Sequence, residues 1–269
     1  MLAQLFNKFK KNHEEAGLAR LPQVELFDKA PEPHVLKDMA TYVHDFEVIE
    51  DSQWLHEKGA EFGIKYTTFN FFPPKLLVFL KKYLETQGVE FIRTNLGHIT
   101  DVAKIVGSPE VVFNCTGVLA TQLGGIKDCE NNYPIRGQVV SVKAPWIDYN
   151  ISLSVANQPP TYIIPRAHSL GRVILGGYYE KHNWLEGTRG DQTESILART
   201  TKLMPELLKN GPLEILEERA AFRPGRDNGA RIEKEVISGL VVIHNYGAAG
   251  TGYQSGLAMS LDAVNLYLH

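Results

Sequence analysis

The C-terminal part of the chain passes from an apolar run through a glycine-rich turn into a helical pattern. The apolar run at residues 240–243 follows Gly239 and stops before the turn at 247–252, which is typical of a strand covered on both faces. Beyond the turn, apolar residues recur at helical spacing at Leu257, Leu261, Val264 and Leu268. This pattern predicts a buried strand, a tight turn and a C-terminal helix.

A related pattern lies earlier in the chain. The leucines of residues 75–87 fall on one helical stripe, and Pro73 suits the first turn of that helix. A short connection leads to a predicted strand at 89–93, and a second apolar run predicts a buried strand at 111–114. Helix, strand and buried strand in this order indicate a parallel layer, which the strand at 240–243 would complete.

The region between these elements is richer in strand patterns. Runs of β-branched and aromatic residues separated by turn residues predict strands at 138–143, 161–164, 172–175, 213–218 and 231–236. One amphipathic helix is predicted at 195–208. The pattern as a whole predicts a mixed α/β protein.

Composition narrows the class of protein. The chain has 269 residues, of which 43% are hydrophobic and 22% charged, enough to bury a globular core. The net charge of −3 and the scattered basic residues argue against nucleic acid or an anionic membrane as a partner. Cys115 and Cys129 have neither metal-ligand spacing nor a disulfide framework, and no apolar run is long enough to span a membrane.

The glycine-rich turn carries the main chemical signal. Gly250, Gly252 and Ser255 only approximate a dinucleotide-binding fingerprint, and a tight turn needing positive φ explains such glycines equally well. The backbone N–H groups that open the following helix have no partner within it, so they favour an anion or a carbonyl oxygen. His244, in the strand before the turn, is interpreted as a packed and hydrogen-bonded histidine.

Six ordered motifs resemble the D-amino-acid oxidases, particularly their yeast and fungal branch. In chain order they are VVFNCTG at 111–117, IRGQVV at 135–140, YIIPR at 162–166, GGYY at 176–179 leading to NW at 183–184, RAAFRPGR at 219–226 with RIE at 231–233, and HNYGAAGTGYQSG at 244–256. Together they cover roughly the last two thirds of the chain.

The resemblance implies a fold and a division into domains. It implies an incomplete Rossmann-like FAD-binding layer formed by residues 70–130 and 236–269, and a mixed-sheet substrate-binding domain formed by residues 1–69 and 131–235. Members of the family open with a strand, a G-x-G-x-x-G turn and a helix that bind the ADP half of FAD. Since no such opening is found, the chain is expected to lack its N-terminal cofactor segment.

The resemblance also implies an activity. FAD would be the cofactor, and neutral D-amino acids would be oxidatively deaminated to 2-oxo acids, ammonia and hydrogen peroxide, with O₂ as the final acceptor. Hydride passes from Cα to the flavin, so the protein supplies orientation and no acid or base residue is assigned. A homodimer is left open as the assembly.

Four substrate-binding residues follow by resemblance. Arg223 matches the arginine that binds the substrate carboxylate, a task suited to its planar guanidinium, although a structural ion pair is the ordinary role of an arginine. Tyr162 and Tyr179 would direct their hydroxyl groups to the same carboxylate, with Tyr178 left open as an alternative to Tyr179. Gln254 would lie near the substrate amine.

The cofactor-binding residues follow in the same way. They are Thr116, Gly117, Arg136, Gly137, Gln138, Gly250, Thr251, Gly252, Tyr253 and Gln254.

Two alternatives stand beside the oxidase of neutral D-amino acids. The chain could be a truncated, non-catalytic remnant that binds no flavin, or it could act on acidic substrates like the related D-aspartate oxidases. The family is peroxisomal through a C-terminal Ser-Lys-Leu type signal, whereas this chain ends at His269 without one. The expectation is therefore the peroxisome from the family and the cytoplasm from these residues.

Overall fold

A computed structural model of the chain describes residues 6–269. The helices are α1 His13–Ala16, α2 Pro33–Tyr42, α3 Ser52–Glu57, α4 Pro73–Thr86, α5 Ala103–Val106, α6 Gly190–Leu203 and α7 Gly252–Leu268. The strands are β1 Leu18–Phe27, β2 His44–Val48, β3 Phe62–Phe71, β4 Val112–Asn114, β5 Asn132–Lys143, β6 Asn150–Ser154, β7 Thr161–Pro165, β8 Arg172–Gly176, β9 Glu180–Lys181, β10 Glu214–Arg226, β11 Arg231–Ile237 and β12 Leu240–Tyr246. Short 3₁₀ turns cover Ile99–Val102, Gly117–Gln122 and Pro205–Leu208.

A large mixed sheet forms the body of the protein. Its nine strands run in the order β10-β5-β8-β7-β6-β1-β3-β2, with β9 paired to β5. Most neighbours are antiparallel, but β1 and β6 are parallel, with Gln23 opposite Asn150. The strands before residue 72 therefore extend the same sheet that carries β7 and β10.

A smaller sheet carries the C-terminal signature. Its three strands run in the order β11-β12-β4. β4 and β12 are parallel, with Ile243 opposite Phe113, as the sequence predicted. β11 is antiparallel to β12 and begins at Arg231, so its first residues lie in the small sheet although the predicted boundary assigned residues 231–235 to the substrate-binding domain. The mixed α/β class is confirmed.

The main core lies between the large sheet and α6. Fully buried aliphatic side chains from the central strands, including Val140, Ile163 and Leu175, pack against Ile196 and Leu203 of α6. A separate cluster around Ile99 and Val242 packs on the small sheet. The two sheets thus have their own apolar cores.

A buried carboxylate connects the two sheets. Asp128 accepts hydrogen bonds from the Arg226 guanidinium of β10 at 2.8 and 3.2 Å, and from the Tyr246 hydroxyl of β12 at 2.9 Å. Its side chain is only 3% exposed. Burial raises the pKa of Asp128, but the hydrogen bonds from Arg226, Asn131 and Tyr246 outweigh that effect, so the pKa lies below its usual value.

Two predicted elements differ from the structure. Residues 89–93 have no regular secondary structure and pair with no strand among residues 6–269, and Phe91 and Ile92 are about half exposed. The strand predicted there is wrong, because a strand also needs a hydrogen-bonding neighbour. The helix predicted at 195–208 is α6 ending at Leu203, followed by a 3₁₀ turn, because Pro205 disfavours helical backbone in Met204.

None of the helices within residues 6–269 is both long and apolar enough to cross a membrane.

Candidate functional site

Arg223 lies near the end of β10, opposite Ile135 of β5. Its guanidinium lies over Gly137, where any Cβ would overlap it, so the absence of a side chain at residue 137 makes room for the arginine. One N–H donates to the Tyr178 carbonyl at 3.2 Å. Arg223 forms no ion pair within the described part of the chain, so most of its donors are free to bind an anion.

Tyr162 on β7 lies beside this guanidinium. Its ring packs on Gly176 and Gly177, and a Cβ at either glycine would overlap the ring. Burial raises the pKa of the Tyr162 hydroxyl, while the positive charges of Arg223 and Arg166 oppose that rise. Tyr162 therefore stays protonated and can donate a hydrogen bond beside Arg223.

The structure distinguishes Tyr179 from Tyr178. Tyr179 is 45% exposed, and its ring centroid lies 5.6 Å from the Arg223 guanidinium carbon. The ring of Tyr178 points away, packs against the main core and lies 5.6 Å from the guanidinium carbon of Arg199. Strand-like alternation explains why only one of the two can face Arg223, and that residue is Tyr179.

The glycine-rich turn approaches Arg223 from the small sheet. The Ala249 N–H donates to the Pro224 carbonyl at 2.8 Å, which ties the turn to the strand that carries Arg223. At Gly250 a Cβ would meet only the Arg223 Cδ, at 3.9 Å, so the space in front of this residue is open to a ligand. At Gly252, likewise, the nearest atom to a Cβ would be that of Ala248 at 3.7 Å.

Helix α7 begins at this turn with Gly252, after Thr251 at the N-cap. Tyr253 and Gln254 occupy its first turn with exposed side chains, and the Tyr253 ring packs on Phe71 with centroids 4.7 Å apart. That Gln254 lies near the substrate amine stays a prediction. The N-terminal N–H groups of α7 lie next to the open space at Gly250.

Thr116 and Gly117 follow β4 at the same edge of the small sheet at which the glycine turn follows β12. The two strand ends are joined by a hydrogen bond of 3.1 Å between the Asn114 amide nitrogen and His244 Nδ1. His244 is fully buried and also binds Glu235, and burial lowers its pKa, in agreement with a packed, neutral histidine. A cleft of about 580 Å³ opens beside Thr116 and Leu96.

Two residues predicted to contact the cofactor have side chains that are bound within the protein. All five N–H groups of Arg136 are bound by protein: Nε to Leu185, Nη1 to Glu180 and Gln192, and Nη2 to Gln138 and Gly187. The Gln138 amide is likewise bound to Arg189 and Thr193. Both side chains are fully buried and anchor the loop before α6. Cofactor contact by Arg136, Gly137 and Gln138 stays a prediction, and Gly137 makes room for the Arg223 guanidinium.

Two arginines near the site were not predicted. Arg166 is the last residue of the YIIPR motif, and its positive charge opposes the rise in the pKa of Tyr162. Arg199 on α6 lies under Tyr178 and binds the backbone around it. Arg166 could have been noticed within the motif, whereas nothing in the sequence around Arg199 signals its contacts because they span about forty residues.

A cavity of about 780 Å³ lies elsewhere. Its lining includes Val24, Glu50, Trp54 and Lys65, and none of the predicted site residues. It is a groove between β2 and the adjoining elements. The convergence of Arg223, Tyr162 and Tyr179 at an open glycine turn is the better candidate site.

The residues at the turn fit a flavin ring. Gly250 leaves the space a planar ring would need, and the N-terminus of α7 offers N–H groups to its electron-rich edge. The cleft beside Thr116 continues from the adjacent strand end. These features lie at the carboxyl ends of parallel strands, where α/β sheets bind cofactors.

Comparisons with known proteins identify relatives of the chain. No family model matches the chain. It is 41% identical to the D-amino-acid oxidase of Schizosaccharomyces pombe over 98% of this chain and 76% of that protein. It is 25% identical to the D-aspartate oxidase of Cryptococcus neoformans var. grubii over 98% of this chain and 77% of that protein. The crystal structure of glycine oxidase from Geobacillus kaustophilus superimposes with a TM-score of 0.71 at 18% identity, covering 98% of this chain and 76% of that one. From the identity to the yeast enzyme and its coverage, the chain belongs to the D-amino-acid oxidase family.

Proposed function

We propose that the protein oxidatively deaminates neutral D-amino acids with FAD as cofactor and O₂ as electron acceptor. The observation that carries the proposal is Arg223, whose guanidinium has no carboxylate partner within residues 6–269 and lies between Tyr162 and Tyr179 in front of Gly250. An uncompensated guanidinium flanked by two phenols is suited to an α-carboxylate.

The residues fix one end of the substrate. Arg223 pairs with the carboxylate, the Tyr162 hydroxyl donates a hydrogen bond to the same group, and Tyr179 covers it from the solvent side. With the carboxylate held there, Cα lies toward the open space at Gly250. Orientation of this kind is the main contribution a protein makes when a cofactor supplies the reactivity.

When bound, FAD would supply the chemistry of hydride acceptance from the substrate Cα and of electron transfer to O₂. The chain would hold the ring through the turn at Gly250 and Gly252, with the N–H groups of Gly252 and Tyr253 stabilising negative charge at its edge. Gln254 would bind the substrate amine, directly or through water. No side chain is assigned as an acid or base.

Neutral substrates are favoured over acidic ones. The identity to the D-amino-acid oxidase, 41%, exceeds that to the D-aspartate oxidase, 25%, over equal coverage of this chain. The side chain that faces Arg223 from the solvent side is the uncharged Tyr179. Peroxisomal location and a homodimer are further proposals, supported by family membership.

The proposal is tested with the purified chain and added FAD. Flavin absorbance that co-elutes with the protein, and hydrogen peroxide formed with D-alanine but not L-alanine, are expected. Arg223→Met should lower kcat/KM by about 10³-fold, because the substrate loses its charged partner. Arg219→Met is the matched control, since Arg219 lies on the same strand but is 66% exposed and paired with Glu217.

The outcomes separate the alternatives. A chain that stays colourless with FAD and forms no peroxide would contradict the proposal and support the non-catalytic alternative. A preference for D-aspartate over D-alanine would support the acidic alternative. Equal loss of activity in the Arg223 and Arg219 variants would contradict the carboxylate role of Arg223.

A further inference from the structure

Arg199 on α6 is surrounded by backbone carbonyls of the active-site wall. Its Nη1 donates to the Pro160 carbonyl at 2.9 Å, the Pro159 carbonyl at 3.2 Å and the Thr161 hydroxyl at 2.6 Å. Its Nη2 donates to the Gly177 carbonyl at 3.1 Å. One guanidinium thus ties the start of β7 to the end of β8 and the loop that follows.

The backbone held in this way supports the substrate-binding tyrosines. Tyr162 follows Thr161 directly, and its ring packs on Gly176 and Gly177. The Gly177 N–H also donates to the Pro160 carbonyl, at 2.6 Å, so that carbonyl accepts from both Gly177 and Arg199. Tyr179 lies two residues beyond the bound Gly177 carbonyl, and its position follows from that of the loop.

The Arg199 guanidinium is bound by backbone carbonyls and an aromatic ring rather than by a carboxylate. It forms no ion pair within the described part of the chain, and its guanidinium carbon lies 5.6 Å from the Tyr178 ring centroid. Burial lowers the pKa of Arg199, while Tyr178 opposes that effect. A partly buried cation solvated by three backbone carbonyls and a ring is costly to retain, which indicates a role for the geometry that it imposes.

We propose that Arg199 is a positioning residue for the substrate carboxylate: it binds Tyr178 and the Gly177 carbonyl, and so directs Tyr179 toward Arg223 and fixes the surface beneath Tyr162. Alternation along the chain means that holding Tyr178 against Arg199 turns the next side chain to the opposite face. The inference rests on the proposed function, and it adds a residue that touches neither substrate nor cofactor.

The test compares Arg199→Met and Arg199→Lys with Arg172→Met in the FAD-loaded chain. Arg172 is the matched control because it also lies in the large sheet but binds Ser141 and Glu217, away from the tyrosines. We expect Arg199→Met to raise KM for D-alanine about ten-fold with kcat within about two-fold, since carboxylate binding is weakened more than the chemical step. Arg199→Lys, which keeps the charge with fewer fixed donors, should restore most of the affinity.

Hydrogen–deuterium exchange of the backbone amides at residues 176–181 provides a measurement independent of flavin. Exchange there should be about ten-fold faster in Arg199→Met and unchanged in Arg172→Met. Unchanged exchange in Arg199→Met, or faster exchange with an unaltered KM, would overturn the inference. A wild-type chain without oxidase activity would contradict the proposed function, and the exchange result would then decide alone whether Arg199 holds the loop. If Arg199→Met does not fold, Arg199→Gln is compared with Arg172→Gln in the same way.

Discussion

The guanidinium of Arg223 occupies the space directly above Gly137, on the neighbouring strand of the large sheet. A methyl group at residue 137 would overlap the guanidinium, which is the group assigned to the substrate carboxylate. The position of that cation therefore depends on a glycine in another strand as well as on the arginine.

Gly137→Ala should weaken substrate binding while leaving the fold largely intact. The displaced Arg223 side chain would rotate toward solvent and lose its hydrogen bond to the substrate carboxylate. Because that hydrogen bond is charged, we expect KM for D-alanine to rise by about ten-fold or more. Steady-state kinetics and thermal unfolding measure the two effects. Gly190→Ala is the control, because a Cβ there meets no atom within 4 Å. Unaltered kinetics in Gly137→Ala would contradict the role of this glycine.

Gly250→Ala should separate ligand binding from stability. Its Cβ would meet only the Arg223 Cδ at 3.9 Å, so the free energy of unfolding should change by no more than about 0.5 kcal/mol. Affinity for FAD and for D-alanine should fall, because the methyl group would enter the space assigned to the ring. Gly256→Ala, in the helix that follows the turn and with no atom near its Cβ, is the control. Full retention of FAD by Gly250→Ala would place the ring elsewhere.

Tyr179 and Tyr178 should respond in opposite ways to truncation. Tyr179→Leu is expected to raise KM with little loss of stability, since its side chain is 45% exposed and faces Arg223. Tyr178→Leu is expected to lower the free energy of unfolding by about 1–2 kcal/mol, since its ring packs on the core. Kinetics and urea unfolding of both variants test the pair. A larger KM effect for Tyr178→Leu would reverse the assignment.

Asp128→Asn should loosen the connection between the two sheets. Replacing the buried carboxylate leaves Arg226 without its anion, so we expect a loss of about 3 kcal/mol at neutral pH. Asp191→Asn, in an exposed pair with Arg189, should cost about 0.5 kcal/mol. Urea unfolding at neutral pH measures both.

The pH dependence of the same variant follows from the lowered pKa of Asp128. A carboxyl whose folded pKa lies below its unfolded value stabilises the protein fully above the unfolded pKa, and this stabilisation is lost as pH falls through the folded pKa. Wild-type protein should therefore lose this contribution below about pH 4, whereas Asp128→Asn should lack that part of the acid dependence. Parallel acid curves for the two proteins would contradict the expected linkage.

Local patterns predicted much of the fold. The C-terminal strand, turn and helix, the helix after Pro73 and four strands of the large sheet, β5, β7, β8 and the first part of β10, follow from periodicity and turn residues alone. The strand predicted at 89–93 is absent from the structure, because strand pairing depends on a neighbour that the local pattern does not describe. The parallel pairing of β4 with β12 was inferred from element order, but the pairing of β1 with β6 was not predicted.

For the candidate site, the sequence predicted some residues but not the side-chain contacts around them. The motifs identified Arg223, Tyr162 and the glycine turn, which the structure brings together around one open space. Arg136 looked like a cofactor contact within the same motif, yet its donors bind residues about fifty positions away. Arg199 could not be found from the sequence for the same reason, since its partners come from other elements of the fold. Side-chain networks of this kind are decided by tertiary packing.

The parallel pairing of β4 with β12 sets the order in which the protein can assemble during synthesis. Asn114 bonds to His244, 130 residues later, so this contact must wait until almost the whole chain has left the ribosome. The central strands of the large sheet can close earlier, with Tyr162 and Arg223 already in place. The glycine turn would then be the last part to arrive, and the nascent chain would hold the substrate side of its site before it holds the cofactor side.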